Sequence, residues 1–372
     1  MSTGKTFQTP LAAKRHSAGR AVGGPPPVDS ATVTPASGAG GGGRDPVGIL
    51  GLGAYVPERV MTNDEWSQYV DTSDEWIRSR TGIERRRVAA PEQSTVDLAL
   101  PAARLALEDA GIGPRDVDEI IVATDTREVT IPDTAAFVQE RLGAREVPAY
   151  DLAGSGCAGF LQALDVARSR VIAGAADRVL VLGVELLTRL MDWHDRNTCV
   201  LFGDGAGAAV VGASSRAAEI LAAVAGTDGS ASAILGVEAG GTRVPFDDEV
   251  ARRRLHQRID FNGREVFRHA VRRMAQAGRA VLAKTGHTLD EVALLVPHQA
   301  NLRIVDAVRR ELALPEEKVF VNLQEYGNTG SASVPLALWE ARRAGRISSG
   351  DLVLLVSFGA GFHWASVLLR YP

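Results

Sequence analysis

The stretch DLAGSGCAGFLQALDVARSRVIAGAADRVLVLG, residues 151–183, has a counterpart later in the same chain. That counterpart is NLQEYGNTGSASVPLALWEARRAGRISSGDLVLLVS, residues 322–357. When the two stretches are aligned, Cys157 falls on Asn328, 171 positions later. Both stretches read as a turn, a helix and an apolar strand, so the alignment indicates an internal duplication.

A second match supports the duplication. An Asp-Glu pair precedes an apolar run at 118–119 and again at 290–291, an offset of 172 positions. Two offsets that differ by one residue predict two similar halves, which we place at 46–215 and 216–372. Site residues should then lie in equivalent loops at the strand ends, where the halves face each other.

Short apolar runs alternate with segments of helical period along the whole chain. VGILGLGAYVP (47–57) reads as a strand, VDLALPAARLALEDAG (96–111) as a helix and DEIIVATD (118–125) as a strand. A helix and a strand follow each other again in GRAVLAKTGHTLDEVALLVPH (278–298). This alternation predicts an α/β protein with buried, largely parallel strands.

Composition excludes several classes of protein. The chain has 372 residues, 45% of them hydrophobic, which can fill a substantial core. A formal net charge of −4 without a basic stripe argues against a nucleic-acid partner. The apolar runs are too short for a transmembrane helix, so no membrane partner is expected. Two cysteines in no metal-ligand spacing predict no structural metal and favour a cytoplasmic location.

Residues 1–45 differ from the rest, because Gly, Pro, Ser and Thr dominate them. Little apolar surface is available there to offset the entropy of ordering, so the segment is interpreted as a disordered leader. Its early basic residues also fit an organellar transit peptide, which remains the alternative location.

Cys157 stands between a predicted strand, VPAYDL, and a predicted helix that begins at AGFLQAL. Backbone N–H groups and the dipole at a helix N-terminus favour a thiolate, so this placement would activate the sulfur. Gly154 and Gly156 allow a tight turn and Gly159 allows close approach. A lone cysteine could equally be a small core side chain, and Cys199, on a strand-like apolar run, is read in that way.

His298 and Asn328 complete a possible catalytic set. His298 ends the apolar run VALLV and suits a general base or a hydrogen-bond donor, although a structural histidine would look the same. Asn328 could be a simple turn former. The duplication places Asn328 in the loop equivalent to that of Cys157, which favours a shared site.

Several motifs resemble one known family, the β-ketoacyl-acyl carrier protein synthases III. The resemblance runs in order from about residue 47 to 370, and it is carried by VDTSDEWIRSRTGIERR (70–86), DLAGSGCAGF, DRNTCVLFGDGAGAAVV (195–211), VPHQANLRI, YGNTGSASVPLAL and SFGAGFHWASVLLR. It implies the thiolase fold, in which two similar halves form a five-layered αβαβα arrangement. It also implies an acyltransferase that condenses a short acyl-CoA with malonyl-acyl carrier protein and so initiates fatty acid synthesis.

The resemblance assigns roles to individual residues. Cys157 takes the acyl group as a thioester, and His298 and Asn328 hold the malonyl thioester carbonyl while carbon dioxide leaves. The backbone N–H groups of Cys157 and Ala360 form the oxyanion hole, and Phe358 lines the malonyl side.

The resemblance also implies partners. CoA is held by Trp76, Arg80, Arg196 and Asn301. An acidic carrier protein docks on Arg303, Arg309 and Arg310, although these could also form an ordinary solvated basic face. A homodimer is implied, and no cofactor, since acyl-CoA and malonyl-carrier protein are substrates.

The chain departs from the usual family pattern at a few positions. Asn197 stands where a glycine often follows the CoA-binding arginine, GSG replaces an alanine-rich run before Cys157, and Ala360 replaces a common glycine. Arg127 and Glu128 are expected near the acyl pocket. Ile131 occupies the position from which relatives reach across the dimer to limit the length of the acyl chain. Together these departures leave the identity of the acyl substrate open.

Other functions fit parts of the pattern. A papain-like protease also uses Cys, His and Asn in that order, and the 141 positions between Cys157 and His298 suit its spacing. The papain context around the cysteine is absent and a duplication has no place in that fold. A non-catalytic partner subunit should have lost the nucleophile. A specialised-metabolism relative that primes a polyketide, or transfers the acyl group to another acceptor, remains the alternative.

Overall fold

The computed structural model describes residues 45–372. Its strands are β1 (Val47–Tyr55), β2 (Val60–Thr62), β3 (Arg85–Arg87), β4 (Glu119–Ala123), β5 (Ala149–Leu152), β6 (Arg178–Leu186), β7 (Asp204–Ala213), β8 (Ala218–Thr227), β9 (Leu235–Val237), β10 (Ile259–Phe261), β11 (Val292–Pro297), β12 (Leu352–Gly359) and β13 (His363–Arg370). The α-helices are α1 (Asn63–Trp66), α2 (Asp74–Thr81), α3 (Thr95–Ala110), α4 (Thr134–Leu142), α5 (Gly159–Ile172), α6 (Asp248–Arg252), α7 (Gly263–Thr285), α8 (Leu302–Glu311), α9 (Leu323–Tyr326) and α10 (Ser333–Arg343).

Nine strands form one continuous sheet in the order β11-β12-β13-β8-β1-β7-β6-β4-β5. Two further two-stranded sheets pair β9 with β10 and β2 with β3. The expectation of largely parallel strands was wrong. Among the described strands only β4·β5, β4·β6 and β11·β12 are parallel, whereas the other five neighbouring pairs of the large sheet are antiparallel.

The strand order repeats across the sheet. In one half β4 and β6 are parallel, and β7 and β1 follow antiparallel. In the other half β11 and β12 are parallel, and β13 and β8 follow antiparallel. The two sets meet at β1 and β8, through the pairs Gly48↔Glu219 and Ile49↔Ala218. We therefore propose the division of this region into halves at 215/216.

The helices pack in three layers around the strands. An outer core joins α3 and α4 to the first set of strands, and another joins α7 and α8 to the second set. A central core encloses α5 and α10 between both sets. The buried faces of these helices supply Leu, Val, Ile and Ala, whose burial drives the packing. The central pair, α5 and α10, are the helices that follow the two aligned turns.

Within residues 45–372 no helix is long and apolar enough to cross a bilayer. The same residues contain no cluster of three or more His, Cys, Asp or Glu side chains arranged to hold a metal. The predictions made for the leader, residues 1–45, lie outside the described residues except at its last position.

Candidate active site

Cys157 lies in a short 3-10 turn, Gly156–Ala158, that joins β5 to α5. Gly154 and Gly156 both have positive φ, +75° and +54°, as the turn requires. A Cβ on Gly156 would stand 2.5 Å from the backbone nitrogen of Ala360. The backbones of these two segments therefore approach closely, and Cys157 and Ala360 both line the cavity described below.

The two glycines of this turn allow a matched stability test. Gly154→Ala should lower the free energy of unfolding by only about 1 kcal/mol. This is the strain of a side chain at positive φ, since a methyl group added there would meet nothing within 4 Å. Gly156→Ala adds a clash with the backbone and should cost about 3 kcal/mol in the free energy of unfolding. Urea unfolding of both variants measures the difference. Equal losses of stability would show that the backbone at Gly156 is not in tight contact with that of Gly359 and Ala360.

Asn328 lies in the aligned turn of the second half, just before the 3-10 turn Gly330–Ala332 and α10. Its Oδ1 accepts the N–H of Gly330 at 2.9 Å, and its backbone N–H donates to Leu201 at 2.8 Å. This bond to Oδ1 fixes the orientation of the amide and leaves its donor group, Nδ2, available to a ligand. Asn328 is buried and lines the same cavity as Cys157.

His298 follows β11 directly and its backbone N–H donates to Val356 of β12 at 2.8 Å. One residue farther along β12, the hydroxyl of Ser357 donates to the carbonyl of Cys157 at 2.6 Å. The histidine is therefore anchored beside the strand that supports the cysteine turn. Its side chain is buried, with 3% of the residue exposed, and it is not among the residues that line the cavity.

The ring of His298 is oriented by Ser333. Its Nδ1 lies 2.5 Å from the Ser333 Oγ, and that oxygen also accepts the N–H of Gln299 at 3.3 Å. A Ser333 hydroxyl that donates to Nδ1 would leave the ring proton on Nε2. Burial lowers the pKa of His298 to about 3. The imidazole is thus neutral at physiological pH and suited to donate a hydrogen bond.

The protonation state of Cys157 differs from the sequence-based expectation. The thiol does lie at the start of a helix, as expected. Burial nevertheless raises the pKa of Cys157, and the negative charges of Asp125 and Glu185 raise it further. Loss of solvation is the largest cause, so the pKa of the thiol is raised, whereas the helix position alone predicts that it is lowered.

One cavity of about 1210 Å³ connects most of the predicted site. Its lining includes eight of the residues to which the family resemblance assigns a role: Cys157, Asn328, Ala360, Trp76, Arg80, Arg196, Asn301 and Arg303. Phe358 is buried behind it and packs on Phe362 with ring centroids 4.7 Å apart. The cavity is large enough for a drug-sized ligand or a cofactor-like substrate.

The cavity contains a stacked arginine–tryptophan–arginine arrangement. The guanidinium groups of Arg80 and Arg196 lie 4.4 and 4.8 Å from the ring centroid of Trp76. Arg196 is also held by the backbone oxygen of Asp71 at 2.8 Å. Two cations and a flat ring provide both charge and stacking surface, which suits a nucleotide with phosphates.

The remaining predicted residues are placed as follows. Asn301 caps α8 by accepting the N–H of Arg303, and the Arg303 side chain donates to Ser79 at 2.9 Å. Arg309 is turned back toward its own helix end, where it donates to Leu314 at 3.1 Å. The side chain of Arg310 is 71% exposed. Arg303 and Arg310 are thus exposed, whereas Arg309 is half-buried.

Some residues that depart from the family pattern, or adjoin the expected acyl pocket, line the cavity and others do not. Arg127 and Asn197 line the cavity, whereas Glu128 accepts the N–H of Val96 at the start of α3. Ile131 is 86% exposed. Cys199 is fully buried, as expected of a core side chain, but it lies in a turn and not on the expected strand.

Sequence reasoning missed two acidic residues. Asp125 follows β4 and Glu185 lies within β6, and both line the cavity. A glutamate inside the otherwise apolar strand RVLVLGVEL was the available signal, because a buried carboxylate needs partners or a function.

The chain is similar to known condensing enzymes over nearly its whole described length. A family model described as 3-oxoacyl-[acyl-carrier-protein (ACP)] synthase III matches residues 150–229, and one for the C terminal of the same synthase matches 282–371. The β-ketoacyl-[acyl-carrier-protein] synthase III of Symbiobacterium thermophilum is 50% identical over 326 residues, which cover 88% of this chain and 98% of that protein.

Solved structures of condensing enzymes superpose on this chain. The β-ketoacyl-[acyl-carrier-protein] synthase III of Thermus thermophilus superposes with a TM-score of 0.81 at 49% identity, covering 87% of this chain and 99% of that one. The priming β-ketosynthase of the R1128 polyketide pathway gives 0.80 at 37% identity, covering 90% and 99%. The expected thiolase fold is confirmed, and the chain belongs to the β-ketoacyl-[acyl-carrier-protein] synthase III family, acyltransferases that perform the condensation initiating fatty acid synthesis.

Proposed function

We propose that this chain performs its family's decarboxylating condensation with Cys157 as the nucleophile and with His298 and Asn328 as the donors to the malonyl unit. The observation that carries the assignment is the placement of the cysteine and the asparagine in two equivalent turns that open on one cavity. Acyl-CoA and malonyl-acyl carrier protein are the substrates, and no step requires a cofactor.

In the first half-reaction the Cys157 sulfur attacks the thioester carbonyl of acyl-CoA. A carbon–sulfur bond forms to Cys157, the bond to the CoA sulfur breaks, and the thiol proton leaves with CoA. The tetrahedral oxyanion is held by the N–H groups of Cys157 and Ala360, whose backbones are packed together through Gly156 and Gly359. The stacked arrangement around Trp76 binds the nucleotide of CoA.

In the second half-reaction the malonyl thioester loses carbon dioxide and its carbonyl oxygen becomes an enolate. His298, neutral with its proton on Nε2, and the Nδ2 group of Asn328 donate hydrogen bonds to that oxygen. The carbanion attacks the acyl-Cys157 carbonyl, which forms the new carbon–carbon bond and expels the cysteine sulfur as a thiolate, and a proton from solvent restores the thiol. Phe358 and Phe362 keep this side of the site apolar, which favours loss of the charged carboxylate.

The direct test is product formation. Purified chain, malonyl-carrier protein and a panel of short acyl-CoAs should release carbon dioxide and give β-ketoacyl-carrier protein, detected by intact mass. Absence of carbon dioxide release with every acyl-CoA would contradict the proposal. A specialised polyketide-priming role is not favoured, because the two synthases III compared above are 50% and 49% identical to this chain and the polyketide ketosynthase is 37% identical. The homodimer, the cytoplasmic location and the carrier-protein docking residues stay predictions.

Trp76 offers a test of CoA binding. Trp76→Ala removes the ring against which Arg80 and Arg196 lie, so we expect KM for acyl-CoA to rise about tenfold with kcat little changed. Trp76→Phe keeps a stacking face and should stay within about threefold of the wild type. Initial rates against acyl-CoA concentration measure both. An unchanged KM in Trp76→Ala would place the nucleotide elsewhere.

A further inference from the structure

One motif of the sequence ends at a residue that the proposed condensation does not use. VDTSDEWIRSRTGIERR (70–86) supplies Trp76 and Arg80 to the cavity, and its last residue, Arg86, lies on β3. Arg86 is 0% exposed. Because arginine is almost never fully buried unless it is paired, its contacts should show what it does there.

The guanidinium of Arg86 is bonded to the segment that holds the backbone of Asn328. Its Nη2 donates to the backbone oxygen of Val200 at 2.6 Å. The next residue, Leu201, accepts the backbone N–H of Asn328 at 2.8 Å, and the N–H of Gly203 donates to the backbone oxygen of Asn328 at 3.0 Å. Arg86 is therefore attached to segment 200–203, which binds the asparagine on both sides of its peptide backbone.

The stem of Arg86 packs against the same region. A Cβ on Gly203 would stand 3.1 Å from the Cβ of Arg86, and a Cβ on Gly327 would stand 3.6 Å from it. Gly327 has a φ of +64° and directly precedes Asn328. With glycine at both positions, the arginine lies against the two pieces of backbone that flank the asparagine.

The other side of the guanidinium is bonded to α1. Nη1 of Arg86 donates to Oδ1 of Asn63 at 2.7 Å. The amide of Asn63 in turn donates to the carbonyl of Ile83 at 2.7 Å and to Oδ1 of Asp74 at 2.9 Å. These last two bonds do not involve the arginine. The start of α2, the helix that carries Trp76, therefore keeps this support when Arg86 is replaced.

A positive charge at this place is costly to bury. Both acceptors of the guanidinium are neutral oxygens, and among residues 45–372 the Nε atom of Arg86 has no hydrogen-bond partner. Burial lowers the pKa of Arg86 to about 10, so the side chain is still charged at physiological pH. Neutral partners compensate the lost solvation only in part, which makes such a group a poor device for stability alone.

We propose that Arg86 is a positioning residue for the malonyl half-reaction, which holds the backbone on both sides of Asn328 so that its Nδ2 group is aimed at the malonyl carbonyl. Arg86 does not line the cavity, so it acts through the asparagine. A displacement of about 1 Å caused by a remote substitution can slow a reaction 10²-fold. The inference rests on the proposed function in taking Asn328 as a donor to the malonyl unit.

The test is the rate of each half-reaction in Arg86→Met, which keeps most of the stem and removes the guanidinium. We expect kcat for carbon dioxide release from malonyl-carrier protein to fall roughly 10- to 100-fold, with KM little changed. Acylation of Cys157 by acyl-CoA, followed by intact mass over time, should stay within about threefold of the wild type. A general loosening of the fold would instead slow both half-reactions.

A double-mutant cycle shows whether Arg86 acts through Asn328. Asn328→Ala removes the donor that the arginine is proposed to position. Adding Arg86→Met to Asn328→Ala should therefore reduce the residual carbon dioxide release by less than about twofold. The same loss in both backgrounds, an equal loss of acylation in Arg86→Met, or a wild-type rate of decarboxylation in that variant would each overturn the inference.

Arg168→Met is the matched control. Arg168, on α5, also donates to two backbone oxygens, those of Ile220 at 2.8 Å and Leu221 at 3.3 Å, and neither of these residues lines the cavity. Its variant should keep the wild-type rates of both half-reactions. If Arg86→Met does not fold, Arg86→Lys, whose single ammonium group cannot replace the two-sided guanidinium, takes its place in the cycle and the same outcomes decide.

The same preparations separate this inference from the proposed function. Carbon dioxide release at the wild-type rate in Asn328→Ala would refute the role of the asparagine, and the inference would fall with it. Slow release in Asn328→Ala together with a wild-type rate in Arg86→Met would refute the role of Arg86 alone.

Discussion

Cys157→Ala is expected to abolish acyl transfer while leaving carbon dioxide release from malonyl-carrier protein in place. Removal of a nucleophile leaves no route to the acyl-enzyme, so β-ketoacyl product should fall by about 10⁴-fold or more. Decarboxylation should persist, because His298 and Asn328, the groups proposed to hold the malonyl carbonyl, keep their partners Ser333 and Gly330. Intact mass after exposure to acyl-CoA, and carbon dioxide release without it, measure the two half-reactions separately.

Cys199→Ala is the control for that experiment, since it removes the other cysteine from the core. It should leave both acylation and decarboxylation within a few-fold of the wild type, apart from a small loss of stability. Acyl-enzyme formation by Cys157→Ala would refute the assignment of the nucleophile.

Asn328→Asp should produce the opposite pattern. The new side chain is nearly isosteric and can still accept the N–H of Gly330, but it cannot donate from the position of Nδ2. A carboxylate there also repels an enolate. We expect decarboxylation and condensation to fall by about 10³-fold, the upper range for loss of one oxyanion donor, while Cys157 is still acylated.

A matched substitution for this variant is Asn262→Asp, because Asn262 accepts the N–H of Glu265 as the cap of α7 and aspartate caps equally well. It should retain the wild-type rates. Decarboxylation at the wild-type rate in Asn328→Asp would remove the asparagine from the proposed mechanism.

The sequence was a good guide wherever a local pattern repeats. The match of Cys157 with Asn328 predicted two equivalent turns, and in the structure each is followed by one of the central helices, α5 and α10. Gly174 and Gly345, which are also 171 positions apart, share a φ of +69°. Repeats are visible in sequence because both copies must satisfy the same backbone geometry.

Features that depend on pairing between distant strands were not visible in the sequence. The alternation of helices and strands suggested parallel neighbours, yet β1 pairs with β7 and β8 in the antiparallel sense across about 160 residues. Asp125 and Glu185 read individually as ordinary acids. They meet only because β4 and β6 are neighbours in the sheet, so no local pattern could reveal the pair.

The contact between Ser357 and Cys157 joins residues 200 positions apart. At about 5–20 residues per second, a ribosome that has added Cys157 needs roughly 10–40 s to reach Ser357. During that interval the nascent chain carries its cysteine without the strand that supports it and without the Ala360 N–H proposed for the oxyanion hole. Catalytic competence is therefore a late event in biosynthesis. It depends on docking of the second half of the chain more than on local folding of the helix that follows the thiol.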